Sequence, residues 1–166
     1  MTGQRGVTMV ELAIVITILG IVAWVAYPKL TALDEIKLDA AARRVAADLR
    51  YAQSKAIGRR MVHGILFEPA AGRYTVFAPS VSTPLADPVN RAKILRVDFN
   101  SSPEFKGVSI SSATFGSTPG VTFDYFGVPR DTAGTDLGSV GRVVLSCQGA
   151  SDTVEVIPTT GKVSVR

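Results

Sequence analysis

The feature that most restricts this chain is an apolar run from Val7 to Tyr27, broken by a single charge, Glu11. As a helix, those 21 residues span about 31 Å, enough to cross the hydrocarbon core of a bilayer. A polar leader, Met1 to Gly6, precedes the run. A cleaved secretory signal explains it poorly. Such signals carry a shorter apolar stretch that ends at small residues, and Ile21-Val22-Ala23 is a weak match. A plain membrane anchor fits the length but gives Glu11 no reason to exist. A carboxylate at mid-bilayer costs roughly 2.5–3.5 kcal/mol, so it is a functional group by default and requires a partner.

The string Gly6-Val7-Thr8-Met9-Val10-Glu11-Leu12 resembles the type IV prepilin motif: a glycine, usually a phenylalanine, then a glutamate fifth after the break. The resemblance implies cleavage between Gly6 and Val7 by a prepilin peptidase and methylation of the new Val7 amine. It also implies retention of the apolar helix in the inner membrane and assembly with other pilin or pseudopilin subunits. Val7 stands where phenylalanine is usual, a departure that bears on methylation rather than on cleavage. In a filament core of packed apolar helices Glu11 would be buried and would need a pair. The free amine on a neighbouring subunit's Val7 is the natural one, and the pair would set axial register. Charge does not fix the membrane orientation. Arg5 lies upstream, but Lys29, Lys37, Arg43 and Arg44 lie downstream, so the positive-inside rule does not favour a cytoplasmic N-terminus. The resemblance alone places the globular part in the periplasm, with one membrane pass.

Pro28 follows the run and Gly20 lies eight residues before it. A proline inside a helix removes a hydrogen bond and kinks the axis, so Gly20 and Pro28 are expected to make this part of the helix flexible. Beyond Lys29, Leu38, Ala42, Val45, Leu49, Ala52 and Ala56 recur at steps of three and four. They predict an amphipathic helix to about Arg60 whose alanine-rich stripe lies on a sheet. Its end, Leu49 to Val62, resembles the end of the long helix in GspH/FimT-type minor pseudopilins and minor pilins. Gln53-Ser54-Lys55 stands here where Arg-Ser-Glu is commoner.

After Arg60 the period changes to two. Met61–Phe67 and Arg73–Ala78 read as a hairpin, and Leu95–Phe99, Val121–Tyr125, Arg142–Cys147, Thr153–Ile157 and Lys162–Val165 as further strands. Pro79–Arg91 and Ser101–Gly120 read as loops. Phe123 to Pro129 and Thr160 to Val163 again resemble the GspH/FimT pattern, a phenylalanine-x-x-x-glycine turn and a closing hairpin. The expected fold is α+β, a long N-terminal transmembrane and amphipathic helix packed on an antiparallel β-sandwich. The expected divisions are a leader (1–6), a transmembrane part (7–27), a periplasmic helical part (28–60) and a β-rich domain (61–166).

One cysteine, Cys147, excludes an intrachain disulfide, and its place in the Val143-Leu145-Cys147 alternation makes it a small buried hydrophobe. One histidine, His63, without a cluster of other ligands makes no metal site. Asp131 to Asp136 lacks a complete calcium-loop pattern and reads as a solvated loop. No nucleophile, zinc or phosphate-loop motif is present, so neither a catalytic activity nor a cofactor or metal is expected. The leading expectation is a structural subunit that initiates or caps a pilus or secretion pseudopilus, at the tip or base of the filament. The alternative is a minor pilin that contacts DNA during uptake. The net charge is +4, and Lys162 and Arg166, with Arg142 nearby, are the cations that would face phosphate.

Overall fold

The computed structural model describes residues 8–166; the side chains of residues 25–32 lie outside that description. Helix α1 runs Met9–Arg59. The chain divides into two compact units, Met1–Asp34 and Glu35–Arg166.

In the first unit the described chain is helical from Met9 onward. Every described side chain from Thr8 to Trp24 is exposed, including eleven large apolar ones between Met9 and Trp24. A helix that is apolar all round is built for a surrounding of lipid or other helices, not water.

In the second unit nine strands follow the helix: β1 (His63–Glu68), β2 (Arg73–Phe77), β3 (Arg96–Asp98), β4 (Ser109–Thr114), β5 (Gly120–Phe123), β6 (Pro129–Asp131), β7 (Gly141–Cys147), β8 (Ala150–Val156) and β9 (Val163–Val165). They form a five-stranded sheet, β3-β2-β1-β5-β6, and a four-stranded sheet, β4-β7-β8-β9. All pairings are antiparallel. The helical stripe, with Ala41 and Ala46 added, joins the inward residues of both sheets in one continuous core. Ile65, Phe67, Tyr74, Val76, Val121 and Phe123 come from the first sheet, and Val143, Leu145, Val154 and Val156 from the second. Alanine at five positions of the stripe lets the helix backbone approach the strands closely. Cys147 is 2% exposed and part of this core, as its alternation implies. His63 is fully buried; its Nδ1 lies 2.8 Å from the Met61 carbonyl oxygen.

Two strands fall where sequence pattern indicates none. β4 lies inside the expected 101–120 loop. Of Ser109-Ile110-Ser111-Ser112-Ala113-Thr114 only Ile110 is buried, and a register shift between Ile110 and Ser112 breaks the alternation that would reveal it. β6 carries Pro129, which is confined to edges, and indeed lies at the edge of its sheet. A third difference concerns Asp131, which is 2% exposed rather than solvated. Its Oδ1 accepts the Ala133 and Thr135 N–H groups at 3.0 and 2.8 Å, and its Oδ2 accepts the Ser117 hydroxyl at 3.0 Å. The Thr135 N–H, helped by Ser117 and Ala133, holds its carboxyl below the usual range against the effect of burial.

The helix is locked to the sheets by polar contacts at three levels. The Tyr74 hydroxyl donates to Asp48 Oδ2 at 2.7 Å, and Arg44 Nε donates to the same oxygen at 3.1 Å. An Arg50 guanidinium N–H donates to the Val163 carbonyl at 2.9 Å. Gln53 Nε2 donates to the Gly127 and Thr160 carbonyls at 2.9 and 3.2 Å. Gly161, at φ +64°, has no room for a Cβ, which would lie 2.3 Å from Gln53 Nε2 and 2.6 Å from the Gly127 carbonyl oxygen.

Candidate functional site

Gly6 and Val7, the expected processing residues, lie outside the described residues. Glu11 begins the described part of the expected assembly site. Thr8 Oγ1 accepts the Glu11 N–H at 3.2 Å, and the Thr8 carbonyl accepts the Leu12 N–H at 3.1 Å. Thr8 is therefore the N-cap and Glu11 the third helical residue, the Thr-x-x-Glu spacing of a capping box. An acid in the first turn also faces the positive end of the helix dipole. This local role of Glu11 escapes a reading that looks only for an intermolecular partner, although Thr8-Met9-Val10-Glu11 carries the signal. The carboxylate is exposed and so open to a group from another molecule.

Gly20 has nothing within 4 Å of where a Cβ would lie, so no contact within the chain requires glycine there. The helix continues through Pro28. Among the described residues no helix is long and apolar enough to cross a membrane. The Val7–Tyr27 run itself begins before them and ends among the undescribed side chains.

The structure brings Arg142 and Arg166 together, but around a carboxylate. Arg142 stands opposite Glu155, and Glu155 opposite Ser164, across β7, β8 and β9. Arg142 Nε lies 3.1 Å from Glu155 Oε1, and Arg166 Nε lies 3.6 Å from Oε2. Lys162 is exposed and has no ion pair among the described residues. The acid that neutralises this face was invisible in the spacing, because β8 meets β7 and β9 only through the tertiary register.

A cleft of about 970 Å³ includes Phe77, Val81, Tyr125, Phe126 and Arg130 in its lining. Three of its lining residues, Phe77, Thr122 and Arg130, belong to one cross-strand row with Gly64, in the order Phe77–Gly64–Thr122–Arg130. Glycine at 64 is required: a Cβ there would lie 2.5 Å from the Phe77 ring. The one cation, Arg130, has Nε 3.1 Å from Asp136. No group of three or more metal-ligating side chains occurs among the described residues.

Residues 41–160, most of the second unit, match the family model of the type II transport protein GspH. The chain belongs to the GspH family. Residues 1–27 match the prokaryotic N-terminal methylation motif, a signature of prepilin-type processing and membrane-anchored assembly. The pilin-like protein PilA1 of Thermus thermophilus is 28% identical over 152 residues, covering 88% of this chain and 96% of that protein. The fold resembles the minor pseudopilin EpsH from the type 2 secretion system of Vibrio cholerae (TM-score 0.56, 10% identity, covering 78% of this chain and 96% of that one). It also resembles the type IV minor pilin FimU of Pseudomonas aeruginosa (TM-score 0.53, 15% identity, covering 80% and 90%). The three stretches that carry the sequence resemblance to GspH/FimT proteins meet in space, since Gln53 from the helix end reaches both the Gly127 turn and the Thr160 hairpin.

Proposed function

We propose that this GspH-family chain is a minor pilin or pseudopilin that initiates or caps a type IV pilus or type II secretion pseudopilus. In this reading a prepilin peptidase cuts between Gly6 and Val7, and residues 7–27 hold the subunit in the inner membrane with residues 61–166 in the periplasm. The helix then leaves lipid for the filament core, with Gly20 and Pro28 giving it freedom to adjust. The observation that carries the proposal is the helix from Met9 to Trp24, apolar on every face and exposed throughout. Burying each of its eleven large side chains is worth about 1.5–3 kcal/mol relative to water, so lipid or other subunits must cover them. Within either, the Glu11 carboxylate needs a cation, and the freed Val7 amine of the next subunit supplies one.

Glu11→Gln separates the two roles of this residue. Glutamine keeps the capping-box side chain but not the charge. The variant is expected to be clipped and inserted normally and to be absent from sheared filaments. Incorporation at the wild-type level would reject the amine–carboxylate contact. DNA contact by Arg142, Lys162 and Arg166 would require both arginines to leave Glu155.

A further inference from the structure

We propose that a groove between the last turns of α1 and the loop at residues 85–91 docks an acidic segment of a partner polypeptide. The groove encloses about 330 Å³, with Tyr51, Lys55 and Arg59 on the helix side and Asp87, Pro88 and Arg91 on the loop side. Lys55 and Arg59 are four residues apart, so their side chains emerge as neighbours on one helix face. Arg91 adds a third cation from across the groove. None of the three forms an ion pair among the described residues. Most other described arginines do have an oxygen partner: Arg43 on Asp39, Arg44 on Asp48, Arg50 on Val163, Arg142 and Arg166 on Glu155. Three cations around the single carboxylate of Asp87 leave the groove with a net positive charge, and an anion brought between them relieves the remaining repulsion.

The rest of the groove selects the kind of anion. Asp87 Oδ1 accepts the Val89 and Asn90 N–H groups at 2.7 and 3.1 Å, which leaves Oδ2 to accept a donor from an occupant. A fixed carboxylate amid the cations opposes a continuous chain of phosphates but suits a polypeptide, which brings an N–H along with its acid. The Tyr51 ring, with Lys55 Nζ 5.3 Å above it, and Pro88 offer apolar walls. Val89, on the same loop, is 94% exposed. An Asp or Glu flanked by an apolar residue would meet all of these: a guanidinium fork for the carboxylate, an acceptor for the backbone, and apolar surface for the neighbour.

The test uses the full-length chain in detergent micelles, with fluorescence anisotropy of a labelled poly-glutamate peptide at low salt. Arg59→Glu with Arg91→Glu is expected to weaken binding about tenfold or more, a loss of about 1.4 kcal/mol or more. Arg43→Glu with Lys106→Glu makes the same change in net charge away from the groove and is expected to leave binding within about twofold. Equal loss in both variants would show nonspecific attraction and overturn the site. Absence of peptide binding to the wild type would do the same, and so would tighter binding of a single-stranded oligonucleotide of matched charge. No filament is needed, so failure here and failure of the assembly reading are separate results.

Discussion

Replacing Tyr74 by phenylalanine removes one hydroxyl from the centre of the second unit and leaves the ring in place. The ring packs against Phe67 and Phe99 at centroid distances of 5.5 and 5.9 Å, and those contacts survive. What is lost is the 2.7 Å hydrogen bond to Asp48, whose carboxylate is 7% exposed as a residue and keeps only Arg44 at 3.1 Å. A hydrogen bond to a charged group contributes about 1.5–3 kcal/mol. At roughly 4 °C per kcal/mol for a unit of this size, the midpoint should fall by roughly 6–12 °C. The loss should also depend on pH. Burial, with the Asp48 charge and hydrogen bond in support, raises the Tyr74 pKa well above its ordinary value. A group whose folded pKa is raised contributes stability that is fully present below its unfolded pKa, about 10 for tyrosine. That contribution declines above that pH, because the unfolded chain loses the proton and the folded one keeps it. The slope is about 1.4 kcal/mol per pH unit. Wild type and Tyr74→Phe should therefore converge as pH rises through about 10–11, since the variant has no proton to lose there. Thermal unfolding of the full-length chain in detergent, followed by circular dichroism from neutral pH to 11, measures both effects. An unchanged midpoint at neutral pH, or a gap that stays constant to pH 11, would refute the reasoning.

Gln53→Ala should destabilise the unit by about 1–3 kcal/mol, since it leaves the Gly127 and Thr160 carbonyls without their shared donor; thermal unfolding with amide exchange at the two turns would detect it. Asp131→Asn should flatten the acid limb of the stability curve. The folded pKa of Asp131 is lowered, so its stabilisation is present above the unfolded value, about 3.9, and is lost as pH falls below it. Acid titration of the wild type and the variant by circular dichroism measures the difference, and superimposable curves would contradict it.

The sequence by itself determined the helix and the general plan of the sheets. The apolar run, the Leu38-to-Ala56 stripe and the strict alternation in Arg142 to Cys147 are local patterns, because side-chain periodicity is set by backbone geometry alone. They locate β1, β2, β5 and β7 to within a few residues of their observed bounds. The Thr8–Glu11 cap was equally local, and readable from spacing. Only the tertiary structure decided what those elements bring together. β4 is a strand because β7 offers it hydrogen-bond partners, not because Ser109 to Thr114 favours one. Asp131 is buried because Ser117, distant in sequence, closes over it. The three candidate cations looked alike as charges, yet sheet register placed two of them, Arg142 and Arg166, on Glu155 and left Lys162 exposed with no ion pair among the described residues. Charge is a property of one residue. Whether it is neutralised depends on which other residue the fold sets within a few ångströms, and no spacing along the chain encodes that distance.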